Sequence, residues 1–126
     1  MILIFGGAYQ GKLEYALKTY DLTEKDVYHC QMDSMLLNLD KKIINGLEQF
    51  IFACTKEGIE AKECLAGNME KLRDKILICA DISQGIVPMD KTEREWREMV
   101  GRCTTYLGRE ADKVVRVFCG IGQEIK

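Results

Sequence analysis

The amino-acid sequence predicts an α/β fold: a mainly parallel sheet with a reduced number of strands, flanked by helices. Three observations carry this. Short, near-continuous apolar runs recur along the chain, segments with helical period separate them, and a glycine-rich turn joins the first run to the first helical segment. Strands that alternate with helices point to a layered α/β architecture. Apolar runs without polar alternation suit a sheet covered on both faces.

The elements follow in order. Met1-Ile2-Leu3-Ile4-Phe5 is too short for a signal h-region and has no basic segment before it, so it reads as a buried strand. A helical pattern begins near Lys12, and Asp26–Cys30 is a weaker strand. Leu36, Leu39, Ile43, Leu47, Phe50 and Cys54 recur at three or four residues, as one buried helical face would. Gly46 interrupts that stretch at about 1 kcal/mol relative to Ala. Gly58 is a stop signal, and a second helical segment is expected over 60–73. Lys75–Ala80 reads as a strand, 91–110 as a helix with Trp96, Val100 and Leu107 on one side, and Lys113–Cys119 as the last strand. Lys91-Thr92-Glu93-Arg94-Glu95 mixes signs and reads as a solvated first turn.

With 126 residues and no linker-like stretch, residues 1–126 are expected to form one domain. The net charge of -2 gives no general pull toward nucleic acid or anionic membrane. No apolar run approaches the roughly 20 residues of a membrane span. The six cysteines, at 30, 54, 64, 79, 103 and 119, form no CxxC pair and sit mostly in apolar stretches. They read as reduced, buried thiols of a cytoplasmic protein.

The stretch that carries chemistry is Gly6-Gly7-Ala8-Tyr9-Gln10-Gly11-Lys12-Leu13. It fits GxxxxGK, the phosphate-binding loop, between a strand and a helix as that motif requires. Glycines let backbone N–H groups approach phosphate oxygens, and the helix that follows presents its positive end. Lys12 would reach the terminal phosphates. The next position should be Ser or Thr, whose hydroxyl ligates Mg²⁺; here Leu13 has no oxygen to offer. A glycine-rich turn with no ligand is the bland alternative. Asp81, at the end of the strand at 75–80, is the candidate for Mg²⁺ or its water, though many strands end in Asp for turn reasons. His29 ends a strand and reads as structural, since acid–base work needs a partner at hydrogen-bond distance. Trp96 reads as a core or interface anchor.

One set of residues goes beyond generic patterns. Gly85-Ile86-Val87-Pro88 is followed by Arg94, Trp96-Arg97, Gly101-Arg102, Leu107, Ala111-Asp112-Lys113-Val114 and Gly120-Ile121-Gly122. Together with Gly6-Gly7-Ala8 and Gly11-Lys12, this resembles the adenosylcobinamide kinase and adenosylcobinamide-phosphate guanylyltransferase family of cobalamin biosynthesis. The likeness is good over residues 1–18 and 75–126 and weak over 19–74. It implies a phosphate-loop NTPase-like fold and a transferase that phosphorylates a corrinoid hydroxyl with GTP or ATP, then moves GMP onto that phosphate through a histidine. By the resemblance, Gly6, Gly7, Gly11 and Lys12 cradle phosphate, Asp81 matches a family glutamate, and Arg97 and Arg102 neutralise phosphate or anchor a helix. It also implies a small ring, such as a trimer; independently, a helix with an exposed Trp96 is a candidate contact.

Departures from the family pattern limit what carries over. Leu13 replaces the hydroxyl, which weakens Mg²⁺ binding. Nothing between Gln31 and Arg73 is a histidine, so the covalent acceptor for GMP is missing. The middle is shortened, at the expense of a strand with an acidic residue, and a family asparagine falls near Thr105. Three readings stay open: a reduced kinase acting on a corrinoid or another small hydroxyl compound, a nucleotide-binding module without catalysis, and an interaction protein that keeps the fold for packing.

Overall fold

Consecutive apolar residues leave no polar face, so the first run settles in the middle of a sheet as β1 (Ile2–Gly6). The structure, a computed structural model, describes residues 1–82 and 90–126. Gly85-Ile86-Val87-Pro88 lies outside the described residues. The other strands are β2 (Val27–His29), β3 (Ile43–Asn45), β4 (Ile76–Ala80), β5 (Lys113–Phe118) and β6 (Ile121–Glu124). They form a six-stranded sheet in the order β2-β3-β4-β1-β5-β6. All neighbours are parallel except β6, which returns antiparallel along β5. In register, Gly6 lies beside Ala80 of β4, and Phe5 beside Arg116 of β5.

Among the described residues five α-helices accompany the sheet: α1 (Lys12–Thr19), α2 (Leu47–Lys56), α3 (Ala61–Gly67), α4 (Met69–Leu72) and α5 (Lys91–Glu110). Because side chains alternate along a strand, the sheet feeds two cores. Ile4, Ile43, Ile76, Ile78, Val115 and Val117 face Ala16, Leu13, Tyr15 and Leu17 of α1. Leu3, Ile44, Leu77 and Cys79 face Phe50, Leu65, Met99, Cys103 and Leu107 of α2, α3 and α5. The chain therefore leaves β1 over one face and β4 over the other. In open α/β sheets ligands gather at such a switch, outside the carboxyl ends of the strands.

The expected strands and the helix over 91–110 are present, and the segment over 60–73 appears as α3 and α4. The stretch from Leu36 to Cys54 is not one helix. Residues 31–42 run as a loop, Ile43–Asn45 pairs in the sheet, and Gly46, with φ of 74°, is the N-cap of α2. A strand followed at once by a helix keeps apolar residues three or four apart across the junction, which imitates a continuous face. Gly58 stops α2 as expected: Gly58 N–H donates to Thr55 O and Ile59 N–H to Cys54 O, a Schellman closure. Cys30, Cys54, Cys79 and Cys103 are buried free thiols, but Cys119 is exposed in the turn after β5. Among the described residues no helix is long and apolar enough to cross a membrane.

Candidate functional site

The glycine turn stands at the carboxyl end of β1. Gly6 is required by close approach: a Cβ there would lie 2.3 Å from Val117 O of β5. Gly11 is required by conformation, since its φ of 82° is left-handed, and it is the N-cap of α1 with no side chain capping that end. The first N–H groups of α1 thus lack the usual cap. Among the described residues no backbone carbonyl accepts from Ala8, Tyr9, Gln10 or Gly11 N–H. The turn is pinned from outside, with Gly120 N–H donating to Gln10 O at 2.8 Å and Cys119 N–H to Gln10 Oε1 at 2.7 Å. Tyr9 is fully exposed and Leu13 packs toward the core beside Ile4, so neither plugs the turn.

Lys12 Nζ folds back and donates to Gly7 O at 2.7 Å. Burial pushes its ammonium below the ordinary lysine range, and the Glu48 carboxylate is the main group pushing back. Asp81 follows β4 and its N–H donates to Gly6 O at 2.7 Å, which brings it beside the start of the turn. Asp81 also lines a cavity of about 650 Å³ between the sheet and α5, with Phe5, Arg97, Val100, Thr105 and Arg109 among its walls. Residues 7–13 do not line this cavity. The two features meet only at the end of β4.

Glu48 is the residue that sequence reasoning missed. It stands in the first turn of α2, and its Oε1 accepts from Ala80 N–H at 3.3 Å. Its Oε2 is buried and, among the described residues, has no hydrogen-bond partner. Burial raises its carboxyl above the usual range, opposed by the Ala80 N–H and then by Lys12. Its main-chain O accepts from Trp96 Nε1 at 2.7 Å. The signal was there: a strand ending in Gly46 puts Glu48 at the start of a helix over the sheet's carboxyl edge.

His29, Trp96 and Arg102 make contacts within the fold. His29 Nε2 meets Glu24 Oε2 at 2.9 Å, and its Nδ1 meets Asn45 Nδ2 at 3.1 Å, so both ring nitrogens are engaged. Trp96 is half-buried and packs edge-on against Phe52, with centroids 5.0 Å apart. It anchors α5 to α2. Arg102 forms a two-point pair with Glu60 at 3.2 and 3.4 Å, the anchoring role.

A sequence model of the family described as cobinamide kinase / cobinamide phosphate guanyltransferase matches residues 32–125. The chain belongs to this family. The match takes in the middle of the chain, where the likeness looked weak, and begins after the glycine turn. A curated relative, the bifunctional adenosylcobalamin biosynthesis protein CobU of Salmonella typhimurium (strain LT2), is 31% identical over 84 residues. That stretch is 65% of this chain and 46% of the relative, so the chain spans about half the length of the protein it matches. For a family named for kinase and guanyltransferase chemistry, a strand–turn–helix ending in Gly11-Lys12 is the feature to weigh.

Proposed function

We propose that residues 1–126 form a nucleotide-binding unit that takes the phosphates of GTP or ATP at Gly6, Gly7, Ala8, Tyr9, Gln10, Gly11, Lys12 and Leu13. The observation that carries this is the turn itself: uncapped N–H groups, an exposed rim and a lysine satisfied by its own loop, at the switch point of a parallel sheet. A phosphoryl group would accept from those N–H groups and draw Lys12 off Gly7 O.

In this reading Lys12 and Asp81 serve a kinase-type reaction. Lys12 neutralises the transferring phosphate, and Asp81 holds Mg²⁺ or its water. The donor set fits a magnesium ion carried in on the nucleotide. Leu13 supplies no oxygen, and among the described residues no three acidic, histidine or cysteine side chains gather to hold a metal, while Mg²⁺ usually takes one or two carboxylates plus phosphates and water. When bound, such an ion would offset charge on the transferring phosphate. The acceptor is a corrinoid or another small hydroxyl compound, for which the cavity beside Asp81 has the size of a ligand pocket. Guanylyl transfer is absent from this reading, because His29 is engaged on both sides and the loop over 31–42 carries no histidine. The reading includes a cytoplasmic location, where the free thiols stay reduced, and a homo-oligomer such as a trimer.

A second reading, a nucleotide-binding or interaction module without turnover, draws support from Leu13 turning into the core. Calorimetric titration with GTP and ATP, with and without Mg²⁺, tests both on wild type and Lys12→Ala. Binding that Lys12→Ala abolishes supports the nucleotide site. No binding by wild type would sink it and leave the interaction protein.

A further inference from the structure

The half-buried carboxylate of Glu48 has no place in the chemistry above, yet it is built into the site. Its Oε1 sits on Ala80 N–H, and Ala80 is the register partner of Gly6. Lys12 Nζ sits on the carbonyl of Gly7, the next residue. The two charges therefore stand on either side of the point where β1 gives way to the turn. Glu48 is also fixed from α5 through Trp96.

We propose that Glu48 is the counter-charge of the loop lysine: it keeps Lys12 an ammonium in a half-buried place and so sets the pH range over which the turn can hold a phosphoryl group. The inference rests on the triphosphate-binding reading and deepens it. Three features make the pair act as a unit. The first is that Oε2 is buried and, among the described residues, takes no hydrogen bond, so part of the carboxylate's charge acts through the low-dielectric interior. The second is the charge around the lysine: of the groups acting on Lys12, Glu48 from α2 comes first and Cys79 from β4 after it. Those facing Glu48 are Lys12, Cys79 and, after β2, Cys30. Burial pushes Cys30 up to about 12 and Cys79 well above the usual thiol range, so both are neutral at ordinary pH. The contribution of α5 is the neutral indole N–H of Trp96. The third is geometry without contact: Lys12 donates to Gly7 O and Glu48 accepts from Ala80 N–H, so the lysine is held by a field and stays available to a ligand.

The test is calorimetric titration of GTP and of ATP without metal, from about pH 8 to about pH 10.5, around the lysine range. Wild type, Glu48→Gln, Glu48→Asp and Lys12→Ala are compared at fixed ionic strength. The ligand's own titration is common to all and cancels in the comparison. Wild type should lose affinity on the alkaline side as Lys12 loses its proton. Glu48→Gln keeps the shape and loses the charge, so its midpoint should fall by about one unit or more. Glu48→Asp keeps the charge but draws it back, so its midpoint should lie between the two. Equal midpoints for wild type and Glu48→Gln, with binding still dependent on Lys12, overturn the inference alone. Binding that survives Lys12→Ala, or no binding by wild type, overturns the triphosphate reading first. Should Glu48→Gln fail to fold, Glu48→Asp decides, and an unchanged midpoint there counts against the proposal.

Discussion

Replacing Gly6 by alanine perturbs the point where fold and site are one. The new Cβ would stand 2.3 Å from Val117 O, short of ordinary contact by about 1 Å, and the obstacle is backbone that cannot rotate away. Relief requires β5 to move off β1 at the end of their pairing. That movement drags the turn after β5, whose Gly120 and Cys119 N–H groups hold Gln10. Overpacking of this kind costs about 1–3 kcal/mol, and two weakened hydrogen bonds add about 1 kcal/mol each. Together the loss is about 3–5 kcal/mol, enough to lower the Tm by about 10–20 °C at this chain length. Differential scanning calorimetry of Gly6→Ala measures it. Gly7→Ala is the control, because its Cβ would meet only Gln10 Cγ at 3.6 Å, and its Tm should stay within about 3 °C of wild type. A Gly6→Ala protein that melts as wild type does would refute the claim that glycine here serves strand approach.

Three further outcomes are expected. Leu13→Ser should raise triphosphate affinity in Mg²⁺ by roughly threefold to tenfold, the worth of one added oxygen ligand, while the lost packing beside Ile4 lowers Tm; unchanged affinity with and without Mg²⁺ would argue that the turn is merely structural. Incubation with labelled GTP should leave no acid-labile GMP adduct on the chain, and an adduct would restore guanylyl transfer to it. Glu48 gives a pH dependence of stability: its folded carboxyl is raised above the ordinary 4.5, so its stabilising share is full below that value and is lost as pH rises through the raised one. Urea titrations should therefore show Glu48→Gln gaining on wild type as pH climbs from the acid side toward neutrality, and a constant difference would contradict the burial of that carboxyl.

Much of this molecule was legible from residue order, for physical reasons. β1 and β4 are apolar on consecutive positions because both their faces are covered, and α5 runs from its Asp90 cap, which accepts from Thr92 N–H, to Ala111. The glycine turn was legible because positive φ and strand approach select glycine at Gly11 and Gly6. What was not legible lies where two periods meet. The short β3 runs into α2 through Gly46, and the apolar spacing stays helical across the join, so a strand and the start of a helix were read as one face. Glu48 is hidden in the same way: in a continuous helix it is a solvated neighbour of Leu47, whereas at a helix start over β4 it is a half-buried carboxylate with one oxygen turned inward. Cys119 followed an apolar strand yet is exposed, because the chain turns there with φ of 52°.

The central claim is that a nucleotide's phosphates sit on the glycine turn and not in the larger cavity under α5. A titration of GTP followed by backbone amide chemical shifts tests it most directly. The largest shifts should fall on Gly7 to Leu13, with Glu48 and Asp81 following. Shifts centred on Arg97 to Arg109, with the turn unmoved, would contradict it.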